Sequence, residues 1–282
     1  MFIKLLLLCV FFAIMIGIGL YCRRHATDVN GFVLGGRSVG PWLTAFAYGT
    51  SYFSAVIFIG YAGQFGWKFG IASTWIGIGN AIIGSMLAWV ILGRRTRIMT
   101  QHLDSATMPE FFGARFGSRA LKIGASVIIF IFLIPYTASL YNGLSRLFGM
   151  AFNIDYTVCI IIMAVLTGIY VIAGGYMATA INDFIQGIVM LFGIVAVIAA
   201  VLASKGGFLA AIDGLARIED PAASTTPGVF ASFFGPDPLG LLGVVILTSL
   251  GTWGLPQMVQ KFYAIKDDKA IKTGTIVSTF FA

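Results

Sequence analysis

An apolar run of about twenty residues follows Asp183 and carries no charge until Lys205. A membrane helix needs about 20 such residues to cross the hydrocarbon core of a bilayer. A carboxylate at the edge of such a run is costly, and it usually marks the path of a cation or a proton. This segment therefore predicts a membrane helix, and it indicates transport rather than soluble chemistry.

The composition of the whole chain also indicates that most of it lies in a lipid bilayer. Of its 282 residues, 59% are hydrophobic and 10% are charged, whereas soluble domains carry roughly 25% charge. The apolar runs are continuous, as helices require, and lack the alternation of a β-barrel. We expect the first run to be a retained helix, since no small-residue cleavage site follows it. Eight predicted spans lie at about 2–21, 42–62, 71–92, 121–148, 156–173, 179–203, 238–260 and 273–282.

These spans divide the basic residues into two unequal sets. One set of connections (22–41, 93–120, 174–178 and 261–272), taken with Lys122, carries thirteen Lys and Arg, and the other (63–70, 149–155 and 204–237) carries three. Positive charge favours the cytoplasmic side, which places the N-terminus outside. The excess also faces anionic lipid, so the net charge of +7 needs no nucleic-acid partner. The thirteen are Arg23, Arg24, Arg37, Arg94, Arg95, Arg97, Arg115, Arg119, Lys122, Lys261, Lys266, Lys269 and Lys272.

Two spans contain residues that break helices. The span 42–62 has glycines and hydroxyl residues at its middle, and the span 238–260 has Gly251, Gly254 and Pro256 close together. Unwound main chain survives in lipid only where it is buried or lines a cavity, and its carbonyl groups suit a small cation. Close packing through small residues explains the first pattern equally, and a simple proline kink explains the second.

The positions of these breaks suggest an internal repeat. The two spans are five apart, which is the spacing of a five-plus-five inverted repeat. Asp183 allows a second interpretation, because with Asn182 it could cap the start of a helix. The histidines have no partner at metal-ligand spacing, and no catalytic set lies on one membrane face, so we expect neither a metal site beyond sodium nor an enzyme.

Three stretches resemble the sodium:solute symporter family, which includes proline, pantothenate and sugar cotransporters. They are FVLGGRSVGPWLTAFAYGTSYFSAVIFIGYAG (32–63), GGYMATAINDFIQG (174–187) and GTWGLPQMVQKFYAIKDDKAIK (251–272). The resemblance implies an all-α membrane protein with a LeuT-type inverted-repeat bundle and one extra N-terminal helix at 2–21. The first repeat would cover 42–203, and an incomplete second repeat would begin at 238–282, all within one transport domain.

The resemblance also assigns roles to individual residues. It implies a sodium site at Thr50, Phe53 and Ser54, with Asp183 on the sodium path toward the cytoplasm. Substrate contacts would fall at four positions, which are Ile57, Thr252, Trp253 and Pro256. The signature usually has Thr before the Asp, where this chain has Asn182, and proline-type members carry an Asp at the position of Tyr52.

The function implied is sodium-coupled secondary symport of a small polar organic solute across the plasma membrane. The solute would be an amino acid, carboxylate, vitamin or sugar, and Na⁺ would be the coupling ion with no other cofactor. Two alternatives remain open, which are proton coupling with Asp183 titrating and a transporter-like sensor module of a signalling protein. The sequence does not specify the solute or the oligomeric state.

Overall fold

The protein is built from helices in a computed structural model that describes residues 2–53, 61–219 and 226–282. Within these ranges the one extended pairing outside helices is an isolated parallel bridge between Val39 and Ile265. The predicted all-helical class is therefore confirmed. The helices are α1 (Phe2–Cys22), α2 (Val29–Leu34), α3 (Pro41–Tyr52), α4 (Ala62–Phe69), α5 (Thr74–Gly79), α6 (Arg94–His102), α7 (Met108–Phe116), α8 (Arg119–Phe152), α9 (Tyr156–Ser204), α10 (Phe208–Ala216), α11 (Pro238–Gly251), α12 (Pro256–Ala264) and α13 (Asp268–Phe281).

Several helical segments are long and apolar enough to cross a membrane. Among the described residues three qualify by length and composition, namely Ala62–His102, Arg119–Phe152 and Tyr156–Ser204. The pair α11 and α12, bent by 52°, makes a fourth if it is counted as one span. Large apolar side chains on α8 and α9 are exposed, including Phe130 and Phe192. Exposing so large an apolar surface to water would be unfavourable, so these faces fit a lipid environment.

The eight predicted spans correspond to fewer uninterrupted helices. The first prediction, 2–21, coincides with α1, whereas α3 ends after 12 residues at Tyr52. The helix α13 has only 14 residues, and two predicted spans share α9. The LeuT-type arrangement and the inverted repeat stay predictions.

The helix α9 turns sharply at Gly175, where φ is 56° and ψ is −148°. Its two arms both pack against α1. A Cβ on Gly19 would lie 2.8 Å from Tyr170 Cα, and one turn away Gln186 Nε2 lies 3.6 Å from Met15 Sδ. In a straight helix residues 170 and 186 would be about 24 Å apart, so the arms fold back toward each other.

This turn corrects one boundary of the sequence analysis. We expected 174–178 to form a connection, but every residue there except Gly175 is helical. A glycine tolerates this positive φ because it lacks a Cβ, and a Cβ here would also lie 2.7 Å from the Phe32 carbonyl oxygen. The single residue Gly175 therefore reverses the chain between the two arms of α9, without a separate loop.

The core lies around α3. Buried aromatic residues Tyr48, Tyr52, Trp89 and Phe262 pack together there, with Tyr48 and Trp89 at 5.5 Å between ring centroids. They join α3 to the helix that contains Trp89 and to α12. The segment between α5 and α6 is π-helical at Asn80–Leu87 and Trp89–Gly93. Such wide turns are frequent at functional sites.

Candidate functional site

Two helices end inside the bundle, at the two spans where the sequence allowed either a break or a simpler packing or kink. The helix α3 ends at Tyr52, and Phe53 leaves helical geometry with φ −84° and ψ 62°. The helix α11 ends at Gly251, and after one 3₁₀ turn Leu255 is extended, with φ −71° and ψ 126°. The last carbonyl groups of a helix have no partner within it, so each end presents main-chain oxygens. The predicted residues Ser54 and Ile57 lie outside the described residues.

The amide of Asn80 connects the two breaks. Three hydroxyls lie within hydrogen-bond distance of Asn80 Oδ1, from Tyr52 at 3.1 Å, Thr248 at 2.9 Å and Ser249 at 3.0 Å. The Tyr52 and Thr248 hydroxyls also lie 3.0 and 2.9 Å from the carbonyl oxygens of Thr248 and Val244. An amide oxygen has two lone pairs, so three hydroxyls share them. This cluster, the Asn80 network, consists of Tyr52, Asn80, Thr248 and Ser249. It is neutral and ties α3 and α11 to the start of the π-helical segment.

A second contact fixes the break between α11 and α12. Trp253 Nε1 donates to the carbonyl oxygen of Ile83 at 3.0 Å, and Ile83 belongs to the π-helical segment Asn80–Leu87. The Thr252 hydroxyl turns back and donates to the Ser249 carbonyl oxygen at 3.0 Å. These predicted substrate residues therefore hold main-chain groups in place in this structure.

A cavity of about 460 Å³ lies beside the Asn80 network. Its wall is mostly apolar, with a few polar groups, which is the usual composition of a small-molecule site. Of the predicted residues, Phe53 lines this cavity, while Pro256 lines a different cavity of about 410 Å³. The described lining residues of the first cavity are Phe53, Tyr61, Ala62, Phe65, Ser73, Ile76, Gly77, Asn80, Val244, Leu247 and Thr248.

Thr50 lies against the second arm of α9. Its hydroxyl donates to the Phe46 carbonyl oxygen at 2.9 Å, and a Cβ on Gly187 would lie 3.2 Å from its methyl carbon. Gly187 follows Asp183 by one helical turn, about 6 Å of rise. The structure therefore brings the helices of Thr50 and Asp183 together, with the carboxylate one turn along the interface.

Asp183 forms an ion pair with Lys261 of α12. Its Oδ2 lies 3.6 Å from Lys261 Nζ, and the exposed fractions of the two side chains are 25% and 8%. The ammonium also lies 5.1 Å from the ring centroid of Tyr176. Asp183 is eight residues past Gly175 and inside the second arm of α9, so the interpretation of Asp183 and Asn182 as helix caps is wrong.

Several buried polar atoms near this pair in the sequence lack hydrogen-bond partners among the described residues. They include the amide nitrogen and the amide oxygen of both Asn182 and Gln257, and the hydroxyl of Tyr176. Asn182 precedes Asp183, and Gln257 lies one turn before Lys261. A buried polar atom without a partner is costly, so this part of the bundle is less well satisfied than the Asn80 network.

Hydrogen bonds tie several segments together at the end of the bundle next to this pair. Val39 N–H donates to the Ala264 carbonyl oxygen at 3.2 Å, and Lys266 N–H donates to the Val39 carbonyl oxygen at 3.1 Å. Arg97 Nε donates to the Ile265 carbonyl oxygen at 2.9 Å. Arg37 donates to the Ser105 carbonyl oxygen at 2.9 Å, and burial lowers the pKa of its guanidinium.

Sequence reasoning missed two residues of this region. Lys261 was assigned to the exposed connection 261–272, which is wrong, because α12 continues to Ala264 and Lys261 is 6% exposed. Asn80 was not singled out, although an amide inside an apolar span is itself a functional signal. The apolar residues on both sides of Lys261, such as Val259 and Phe262, were the corresponding signal for its burial.

Broken apolar helices that enclose polar groups define an integral membrane protein of the transporter class. The family model of the sodium:solute symporter family matches residues 32–282. The chain belongs to this family, which confirms the resemblance and, because its members are transporters, the expectation that the chain is not an enzyme.

Curated relatives agree with this assignment. The chain is 31% identical over 266 residues to the osmoregulated proline transporter OpuE of Bacillus subtilis, covering 93% of this chain and 52% of the relative. It is 32% identical over 272 residues to a sodium/proline symporter of Staphylococcus aureus, covering 94% and 51%. The chain therefore spans about half the length of these curated relatives.

Proposed function

We propose that the complete protein is a multi-pass cell-membrane symporter that couples Na⁺ entry to uptake of a small polar organic solute. The observation that carries this proposal is the pair of helix ends at Tyr52 and Gly251, joined through Asn80 beside a cavity of about 460 Å³. Membership of the sodium:solute symporter family supports sodium as the coupling ion. The positive-inside rule supports an outside N-terminus.

The individual sites follow from the same proposal. Sodium would bind at Thr50, Phe53 and Ser54, and Asp183 would take it on the way to the cytoplasm. The solute would contact Ile57, Thr252, Trp253 and Pro256 as parts of a LeuT-type inverted repeat. Rocking of one helix bundle against the other would then expose the site to either side.

The driving force is sufficient for accumulation. One charge that crosses a potential of 100 mV contributes about 2.3 kcal/mol, and a tenfold sodium gradient adds about 1.4 kcal/mol. Together these correspond to roughly 10²–10³-fold accumulation per coupled ion. Proline is the first solute to test, because both relatives named above are described as proline carriers.

Uptake by the full-length gene product in proteoliposomes tests the coupling. We expect an inward sodium gradient to drive uptake of proline or a related small solute, and collapse of the pH gradient at constant sodium to leave uptake unchanged. Uptake that follows the pH gradient and ignores sodium would establish the proton-coupled alternative. Sodium-dependent solute binding without uptake would favour the sensor module.

A further inference from the structure

The cation that contacts Asp183 in this structure belongs to the protein itself. Lys261 is the one charged residue among the buried residues of the described ranges, and its ammonium lies 3.6 Å from Asp183 Oδ2. Under the proposed function, Asp183 is the carboxylate on the sodium path. The ammonium and Na⁺ carry the same charge, so both would seek this carboxylate.

The pair is close enough to exclude a second cation but too long for a tight bond. Charge-assisted N–H···O bonds are about 2.7–2.9 Å long, whereas this contact is 3.6 Å. One carboxylate neutralises one monovalent cation. Adding Na⁺ beside Lys261 would leave a net positive charge at a largely buried site, which is strongly disfavoured. Occupation of Asp183 by Lys261 and by Na⁺ is therefore mutually exclusive.

The position of Lys261 couples this exclusion to helix movement. Lys261 follows the extended residue Leu255 by six residues and lies on α12, whereas Asp183 lies on the second arm of α9. Three residues after Lys261, the Ala264 carbonyl oxygen accepts the bond from Val39. When this end is closed by that bond, α12 holds the ammonium at Asp183, and movement of α12 away from α9 would withdraw it.

The two helices that carry the charged pair also carry buried amides next to it in sequence. The amides of Asn182 and Gln257 are buried without partners among the described residues, and Gln257 shares a face of α12 with Lys261 because the two are one turn apart. Hard cations prefer amide and carboxylate oxygens. These two amides therefore keep unused oxygens on the two helices that carry the charged pair.

We propose that Lys261 is a tethered cation that competes with Na⁺ for Asp183, so that Na⁺ reaches this carboxylate only when α12 moves away from α9. This inference rests on the proposed function and assigns a regulation to its sodium path. It explains why a lysine is buried at this position. It also predicts that removing the ammonium strengthens sodium binding instead of weakening it.

The test compares four variants of the full-length protein. In Lys261→Met the side chain keeps its bulk and loses its charge, and Lys261→Gln is a second neutral variant. Lys261→Arg keeps the charge, and Lys269→Met removes an exposed lysine of the same region as a matched control. The readout is the sodium concentration that gives half-maximal protection against thermal unfolding in detergent, without solute and with choline as the replacement cation.

We expect Lys261→Met and Lys261→Gln to lower this concentration at least tenfold. Lys261→Arg should change it less than threefold, and Lys269→Met should leave it unchanged. Adding Asp183→Asn to Lys261→Met should abolish the gain. If a neutral variant folds poorly without sodium, sodium should restore it, because Na⁺ replaces the lost ammonium.

The result that overturns the inference is distinct from failure of the proposed function. A wild-type protein that sodium neither protects nor drives would contradict the proposed function. Suppose instead that sodium protects the wild-type protein and that the neutral Lys261 variants need the same sodium concentration for half-maximal protection. Symport would then remain possible, and the ion pair would be a static contact that does not compete with Na⁺. Neutral variants that fold poorly and are not restored by sodium would overturn the inference in the same way.

Discussion

The Asn80 network and the pair of Asp183 and Lys261 are two polar clusters of opposite character in one apolar bundle. In the first, three hydroxyls converge on one amide oxygen at 2.9–3.1 Å, and no group is charged. In the second, two charges meet at 3.6 Å. A neutral cluster with short bonds suits a fixed joint, whereas a loose charged contact suits exchange with a mobile ion.

The difference lies also in what each cluster joins. The Asn80 network links the ends of α3 and α11, where the helices are interrupted, and it borders the cavity of about 460 Å³. The charged pair links α9 to α12, after the extended residue Leu255 and close to the hydrogen bonds between Val39 and the end of α12. Under the proposed function, the first cluster borders the solute cavity, and the second lies on the sodium path.

Asp183→Asn is expected to give the largest loss of stability, about 3 to 5 kcal/mol, because it leaves the buried ammonium of Lys261 without a counter-charge. Adding Lys261→Met should recover most of this loss, since both charges are then absent. Chemical unfolding in detergent micelles measures both values. A double variant as unstable as the single one would show that the pair is not coupled energetically.

Asn80→Leu should lower the free energy of unfolding by about 1 to 2 kcal/mol, because the buried Ser249 hydroxyl loses its acceptor, whereas the Tyr52 and Thr248 hydroxyls keep main-chain acceptors. The matched control is Gln101→Leu at an exposed position, which should change it by less than about 0.5 kcal/mol. The same unfolding assay applies. Sodium should not restore Asn80→Leu, and restoration would remove the distinction between the two clusters.

Tyr52→Phe is expected to have the smallest effect, a loss of about 1 kcal/mol, because it removes one hydroxyl while Thr248 and Ser249 still donate to Asn80. The sodium concentration for half-maximal protection should stay at the wild-type value. Thermal unfolding at several sodium concentrations measures both quantities together. A shift in the sodium response would instead place the Tyr52 hydroxyl in the ion path.

The local features of the fold were predictable from sequence. Proline and glycine residues predicted the break between α11 and α12. The first apolar run, expected as a helix at 2–21, is α1. These features depend on neighbours in the chain, so periodicity and breakers are sufficient to find them.

The partners of the site were not predictable, because they depend on packing. Lys261 and Asp183 are 78 positions apart, and nothing local states that α12 lies against the second arm of α9. Asn80 joins residues from α3 and α11 only after three helices have packed. A charge count groups Lys261 with the other basic residues but cannot show that its side chain is buried.

The bridge between Val39 and Ile265 is made by main-chain groups, through the amides of Val39 and Lys266. Every residue except proline supplies such an amide, so these hydrogen bonds do not depend on which side chains the residues carry. Separating these two backbone segments would break the same two main-chain hydrogen bonds whichever side chains stand at these positions. The free energy of that separation would therefore depend on the backbone and not on the solute.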